Sequence, residues 1–250
     1  MQHFLDFKDK IILITGASVG IGKSTAILLN GYGARLILHA SKDESIKQLK
    51  EEFGTERHFY FQADFSNPND LEPNFKKIVE SGVVLDGYVN CVGMRSRKPL
   101  NLLKTIHTNE VLNTNVTSFL EMVRLVTKKG VFNSGLSIVS ISSISSLVGG
   151  PGIAVYAASK AAVDAAIRCL AKELYKKEIR INSIISGQVN TEAYQDLMNT
   201  KTDKIDPVLE RQYLGLGEPD DVANLILFLL SNKSRFITGT ALNADGGFLS

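Results

Sequence analysis

The sequence predicts a doubly wound α/β fold, with a parallel sheet of about seven strands covered by helices on both faces. Three observations carry this reading. Short β-branched runs alternate with longer amphipathic stretches from residue 11 onward. A glycine-rich turn joins the first run to the first amphipathic stretch. No Pro/Gly/Ser linker, low-complexity tract or repeat of roughly 20 to 50 residues interrupts the chain, so a single domain over 1–250 is the simplest account.

The first strand reads as Ile11 to Thr15 and the first helix as Gly22 to Tyr32. Further strands are expected at Arg35 to Ala40, His58 to Gln62, Leu85 to Asn90, Leu136 to Ile141, Arg180 to Ile185 and Ala241 to Asn243. Helices are expected near 43–53, 68–81, 108–129, 154–176 and 219–231. Helix-length spacers between strands require crossover connections, hence parallel pairing. The stretch 191–217 departs from the alternation: it is polar, loosely helical and contains Pro207. Ligands of open parallel sheets sit beyond the carboxyl ends of the strands, so this stretch is expected to be a substrate lid, with a static surface excursion as the alternative.

Composition narrows the function classes. A hydrophobic fraction of 44% with 22% charged residues is ordinary for a soluble globular protein. Lys and Arg number 28 against 26 Asp and Glu, a net charge of +2, which gives no footprint for nucleic acid. Cys91 and Cys169 lie in apolar segments without metal-ligand spacing, so buried reduced thiols, no metal site and a cytoplasmic setting are expected. Asp6, Lys8 and Asp9 break any signal-peptide core in the first ten residues. The apolar run Leu225 to Leu230 falls far short of the ~20 residues that span a bilayer, so no membrane segment is read.

Thr15-Gly16-Ala17-Ser18-Val19-Gly20-Ile21-Gly22 joins the first strand to the first helix with glycines spaced G-x-x-x-G-x-G. Such a turn lets backbone approach a pyrophosphate, and the helix N-terminus supplies free N–H groups and positive dipole character. A dinucleotide is the expected ligand, and the fold class becomes Rossmann-type. Sites that prefer NAD usually carry an acid at the end of the second strand, which here reads His39-Ala40-Ser41-Lys42. An acid would repel a 2′-phosphate, whereas Ser41 and Lys42 suit one. NADP(H) is therefore favoured, and NAD(H) is the alternative if Asp43 turns back to the ribose. Asp64, at the end of the third strand, either accepts a hydrogen bond from the adenine amino group or caps the helix beginning near Pro68.

Tyr156-Ala157-Ala158-Ser159-Lys160 sets Tyr156 and Lys160 on one helix face. Hydride transfer to a carbonyl leaves an alkoxide that needs a proton, and a phenol can donate one if its acidity is raised. A phenol titrates near ~10, so bringing one to neutrality takes ~4 kcal/mol. One ammonium ~4 Å away supplies ~4 kcal/mol at an effective dielectric of ~20. A half-buried aromatic beside a solvated lysine would give the same spacing. Ser143 lies thirteen residues upstream of Tyr156, where the fifth strand ends, and its hydroxyl would reach a substrate oxygen. Ser142 is its rival, and both would also suit a loop. Asn115 interrupts a helical segment as a poor helix former. Either a side chain or water inserted there connects Lys160 to solvent, or the asparagine is simply exposed.

In this order, TGASVGIG at 15–22, NCVG at 90–93, ISS at 141–143 and YAASK at 156–160 carry a resemblance. The chain resembles the short-chain dehydrogenase/reductase family in its compact branch, over essentially its whole length. The likeness extends through Gly217 to Ala223, Ile237 to Gly239 and Asp245 to Gly247. It implies that Tyr156 is the acid/base, that Lys160 assists it and binds the nicotinamide ribose, that Ser143 orients the substrate oxygen and that Asn115 holds a relay water. It implies Gly16, Ser18, Gly20, Ile21 and Gly22 around the cofactor phosphates and ribose, and Asp64 and Phe65 at the adenine. Asn90 and Gly93 would stand on the adenosine side, Val189 and Thr191 at the carboxamide. A homotetramer or homodimer is implied, built partly through the Tyr-bearing helix, where Ala157, Ala158, Ala161, Ala162 and Ala165 permit close packing.

Three departures from the family pattern stand out. The usual N-N-A-G is N-C-V-G; Val19 occupies a position where many NADP-preferring members have arginine; and Ser186-Gly187 replaces Pro-Gly, which predicts a less rigid loop. The expected function is an NADP(H)-dependent oxidoreductase acting on a small-molecule carbonyl or secondary alcohol. The alternative is a non-catalytic cofactor-sensing or scaffolding protein; a sugar-nucleotide epimerase would need a larger C-terminal domain. Arg95, Arg97 and Lys98 read as a solvated basic loop ahead of a role in attracting an anionic substrate.

Overall fold

Along β1 (Ile11–Thr15), Ile12 and Ile14 enter one apolar core and Leu13 enters another, as alternation along a strand requires. A strand that is apolar on both faces must be covered on both. In the computed structural model of the protein, which describes residues 5–199 and 208–250, helices provide that cover. The elements that follow are α1 (Gly20–Gly31), β2 (Arg35–Ala40), α2 (Asp43–Phe53), β3 (Phe59–Gln62), α3 (Leu71–Val79) and β4 (Leu85–Asn90). Next come α4 (Thr105–Leu112), α5 (Ser118–Val126), β5 (Phe132–Ser143), α6 (Ala154–Leu174), β6 (Arg180–Ser186), α7 (Glu192–Asn199), α8 (Pro219–Leu230) and β7 (Ala241–Ala244). Leu71 and Phe75 of α3, Phe119 of α5 and Val163 and Ile167 of α6 pack on one face of the sheet. Leu29 of α1, Leu49 of α2 and Ile226 of α8 pack on the other.

The seven strands are all parallel, in the order β3-β2-β1-β4-β5-β6-β7, so the expected doubly wound sheet is present. The chain order reverses between β1 and β4, which opens a crevice at their carboxyl ends. Register keeps the ends level: Thr15 pairs with Asn90, Ser143 with Ser186, and Ser186 with Ala244.

Several boundaries differ from expectation for local reasons. β3 starts at Phe59 because the His58 ring turns inward to accept the Leu36 N–H at 3.1 Å. β5 begins four residues early, at an exposed Asn133-Ser134-Gly135 stretch that carries no apolar signal. The helix expected over 68–81 is a 3₁₀ turn, Pro68–Asp70, followed by α3. The helix expected over 108–129 is α4, a π-helical segment at Asn113–Thr117, and α5.

The thiols also need correction. Cys169 is exposed on α6, and Cys91 is half-buried at the end of β4, where burial pushes its thiol up to about 12. Of the stretch expected as a lid, residues 200–207 lie outside the described residues; its first part forms α7. Among the described residues no helix is long and apolar enough to cross a membrane.

Candidate active site

After Thr15 the chain turns at Gly16, whose φ of +71° a side chain would strain, and passes against the backbone of Cys91. A Cβ on Gly22 would lie 2.0 Å from the Gly16 carbonyl oxygen, so the turn closes only around a glycine. No side chain caps the N-terminus of α1 and its first turn holds no acid, which leaves N–H donors and positive dipole character for an anion.

This turn opens onto a cavity of about 640 Å³. Gly16, Ser18, Gly20, Ile21, Gly22, Ser41, Asp64, Phe65, Gly93 and Thr191 line it, as does the buried Thr114, whose hydroxyl has no hydrogen-bond partner among the described residues. Glycine turn, free helix N-terminus, ring faces and hydroxyls form a donor set that fits a dinucleotide. Lys42 precedes α2, exposed and off the cavity wall, and Asp43 opens that helix, also off the wall. Asp64 accepts the Ser66 N–H at 2.8 Å in a tight turn instead of capping a helix. Asn90 is not at the wall: its amide accepts from Thr15 Oγ1 at 3.0 Å and donates to Ser140 Oγ at 3.1 Å inside the sheet.

His39 joins this cavity without having been assigned a role from the sequence. Its Nδ1 accepts the Gly16 N–H at 3.1 Å, which makes Nε2 the protonated nitrogen, donating to the Ala63 carbonyl at 3.0 Å. The ring rests on Phe65, centroids 4.5 Å apart. One neutral imidazole thus ties the glycine turn to the loop bearing Asp64.

Burial lowers the pKa of His39 from the ordinary 6.5 to about 4, opposed only in part by the Ala63 bond. Its contribution to stability is therefore complete above about pH 6.5 and is lost as pH falls toward 4, by about 3 kcal/mol, because only the unfolded chain takes up the proton readily. Denaturant titrations at pH 7 and 4.5 should show a smaller acid loss in His39→Asn than in the wild type; equal losses would refute this linkage.

A second cavity, of about 440 Å³, meets the first at Ile21, Cys91, Gly93, Ile141, Thr191 and Ala193. Ser143, Tyr156, Lys160 and Val189 line it, together with Arg95, Arg97, Tyr194 and Leu197. Tyr156 is half-buried on α6 and Lys160 is buried one turn later, its Nζ 5.9 Å from the Tyr156 ring centroid and donating to the Ile141 carbonyl at 2.8 Å. Ser143 and Ser142 are distinguished by their partners. Ser142 is buried and gives its hydroxyl hydrogen to Asp164 at 2.8 Å. Ser143 accepts the Ser145 N–H at 3.1 Å, which leaves its own hydrogen free to point into the cavity.

Asn115 is 2% exposed, which excludes the exposed alternative. It accepts the Met94 N–H at 2.7 Å and donates to the Met94 carbonyl at 3.0 Å and to Ser159 Oγ at 2.9 Å. These bonds lie where the helix widens into its π-helical segment, a distortion common near functional sites. Ser159 in turn donates to the Tyr156 carbonyl at 2.7 Å, so Asn115 supports α6 from behind the cavity wall.

The Ser186-Gly187 loop, expected to lack rigidity, is braced by Gln212. That buried amide accepts the Gln188 N–H and donates to the Gln188 carbonyl, both at 2.9 Å. Gln212 sits in the polar stretch before α8, which has no periodic pattern to mark it.

Residues 16–249 match the family described as enoyl-(acyl carrier protein) reductase. The chain is 30% identical over 246 residues to the 3-oxoacyl-[acyl-carrier-protein] reductase of Staphylococcus epidermidis, covering 96% of this chain and 98% of that one. It is 34% identical over 245 residues to L-xylulose reductase of Caenorhabditis elegans, covering 97% of each. The structure of 4-hydroxyisoleucine dehydrogenase complexed with NADH matches with a TM-score of 0.87 at 28% identity, over 96% of this chain and 98% of that one. The chain belongs to the short-chain dehydrogenase/reductase family and is an oxidoreductase acting on CH–OH and C=O groups with a nicotinamide dinucleotide.

Proposed function

We propose that the protein is an NADP(H)-dependent carbonyl reductase or alcohol dehydrogenase in which Tyr156 exchanges the proton. The supporting observation is the junction of the two cavities, one bordered by the glycine turn and the other by Ser143, Tyr156 and Lys160. When bound, the nicotinamide supplies or accepts the hydride. Ser143 donates its free hydroxyl hydrogen to the substrate oxygen and so fixes the carbonyl. Tyr156 gives that oxygen its proton during reduction and withdraws it during oxidation. Lys160 stabilises the phenolate and, with Nζ donors left beyond the one spent on Ile141, reaches the nicotinamide ribose. Gly16, Ser18, Gly20, Ile21 and Gly22 hold the phosphates, Asp64 and Phe65 the adenine, and Val189 and Thr191 the carboxamide. Asn115 positions α6 and the relay water that recharges Lys160. A cofactor sensor without turnover would have no use for Tyr156 beside Lys160.

The relatives named above are, by name, reductases of 3-oxoacyl-[acyl-carrier-protein] and of L-xylulose, which supports a carbonyl substrate. α7, in the first part of the stretch expected as a lid, borders the substrate side through Tyr194 and Leu197. Exposed Ala158 and Ala165 support assembly as a homotetramer or homodimer through α6, in the cytoplasm. Oxidation of NADPH and of NADH, followed separately across ketones, acyl thioesters, sugars and steroids, tests the whole reading. Cofactor binding with no turnover anywhere in that panel would overturn it.

The 2′-phosphate preference has its own test. The strand end presents Ser41 at the cavity wall and no acid there, with Lys42 next in sequence. Lys42→Glu should reduce kcat/KM for NADPH roughly tenfold or more, the size of one charge-assisted hydrogen bond, and leave NADH within about twofold. Equal losses for the two cofactors would place the phosphate elsewhere.

A further inference from the structure

The substrate cavity carries charge of one sign. Among its described lining residues the charged side chains are Arg95, Arg97 and Lys160, with no Asp or Glu. Asn115 binds both the N–H and the carbonyl of Met94, and the Lys98 N–H donates to the Gly152 carbonyl at 2.7 Å. Arg95 and Arg97 therefore stand on a short strap fixed at both ends. Both line the cavity, while Ser96 between them does not. The Arg97 stem lies against Gly152, where a Cβ would come within 3.3 Å of its Cγ.

Arg95 and Arg97 are exposed residues, and neither guanidinium forms an ion pair or hydrogen bond among the described residues. Arg124, by contrast, binds Glu72 and Glu121, and Arg180 donates to the carbonyls of Ile237, Leu229 and Ser231. The wall beyond the strap is apolar at Ile144, Val148, Ile153 and Phe248.

We propose that the substrate of this site carries an anionic group, a carboxylate or a phosphate, which Arg95 and Arg97 bind while the apolar wall holds its carbon frame. This rests on the hydride-transfer reading of the same cavity. The fork of each guanidinium matches the oxygens of either anion, and a cleft of one sign concentrates charge of the other. The anion takes no part in bond making: the hydride forms the new C–H bond and Tyr156 protonates the oxygen.

Two matched pairs test it: 4-oxopentanoate against its methyl ester, and dihydroxyacetone phosphate against dihydroxyacetone. Each is assayed for turnover with NADPH, and for calorimetric binding to the wild-type protein loaded with NADP⁺. In at least one pair the anion should be favoured by about tenfold or more, equivalent to about 1.4 kcal/mol, and the advantage should shrink as salt rises. The Arg95→Gln/Arg97→Gln variant should lose the advantage and keep its activity on neutral ketones within about twofold. The carboxylate and phosphate arms identify which anion is read. No preference in either pair, or a preference that survives the double variant, overturns the proposal and leaves a solvated basic strap. Absence of turnover with the anion preference intact in binding counts against the hydride reading alone.

Discussion

Tyr156→Phe is expected to lower kcat by roughly 10²- to 10⁴-fold, the usual contribution of a positioned general acid, with cofactor affinity and folding stability nearly unchanged. The Tyr156 hydroxyl forms no hydrogen bond among the described residues, so its removal orphans no buried partner. The ring remains, with its packing on α6. Lys160→Met provides the contrast. It removes a buried ammonium and leaves the Ile141 carbonyl without its 2.8 Å donor, so stability and cofactor affinity should fall along with turnover. Steady-state kinetics, cofactor titration by fluorescence and denaturant midpoints on both variants separate the two patterns. Turnover by Tyr156→Phe within about fivefold of wild type would remove the phenol from the chemistry.

What the sequence disclosed and what it withheld follow from the range of the interactions involved. The pair Tyr156 and Lys160 was legible because helical periodicity alone puts them on one face. The glycine turn was legible because its constraint is local: Gly22 lies against the carbonyl of Gly16, six residues before it in the same turn. Asn115 announced a disturbance, since a poor helix former stood inside a helix. The distortion it accompanies depends on Met94 and Ser159, contacts that only the tertiary fold creates. His39 stood in full view in the strand-end motif, and its role was still hidden. That role needs Gly16 from one strand end and Ala63 from another, brought together by the order β3-β2-β1. Gln212 escaped for the same reason, since its partner Gln188 lies distant in sequence on irregular backbone. Arg95 and Arg97 were legible as a basic loop, but not as a strap, because its anchors at Asn115 and Gly152 are supplied by the tertiary fold.

Gly22→Ala should weaken dinucleotide binding on the order of 100-fold, the scale associated with a misplacement of about 1 Å at a site, and cost about 1–3 kcal/mol of stability through overpacking. Helix propensity alone argues the reverse, since alanine is favoured over glycine by about 1 kcal/mol in a helix interior. Sterics decide the sign. The new Cβ would stand 2.0 Å from the Gly16 oxygen and 2.8 Å from its carbonyl carbon, both backbone atoms that cannot rotate aside. The turn would have to open, which moves Gly16 off His39 Nδ1 and shifts the free N–H groups at the start of α1 away from the phosphates they are proposed to hold. Gly31, at the other end of the same helix, is the control: a Cβ there meets nothing within 4 Å and its φ is not positive. Gly31→Ala should therefore be neutral or stabilise by about 0.4–1 kcal/mol, with cofactor binding unchanged. Denaturant midpoints and cofactor titrations on the two variants give opposite signs if backbone closure at the glycine turn governs the site. Wild-type cofactor affinity in Gly22→Ala would show that the turn tolerates opening and that the anion is held by other groups.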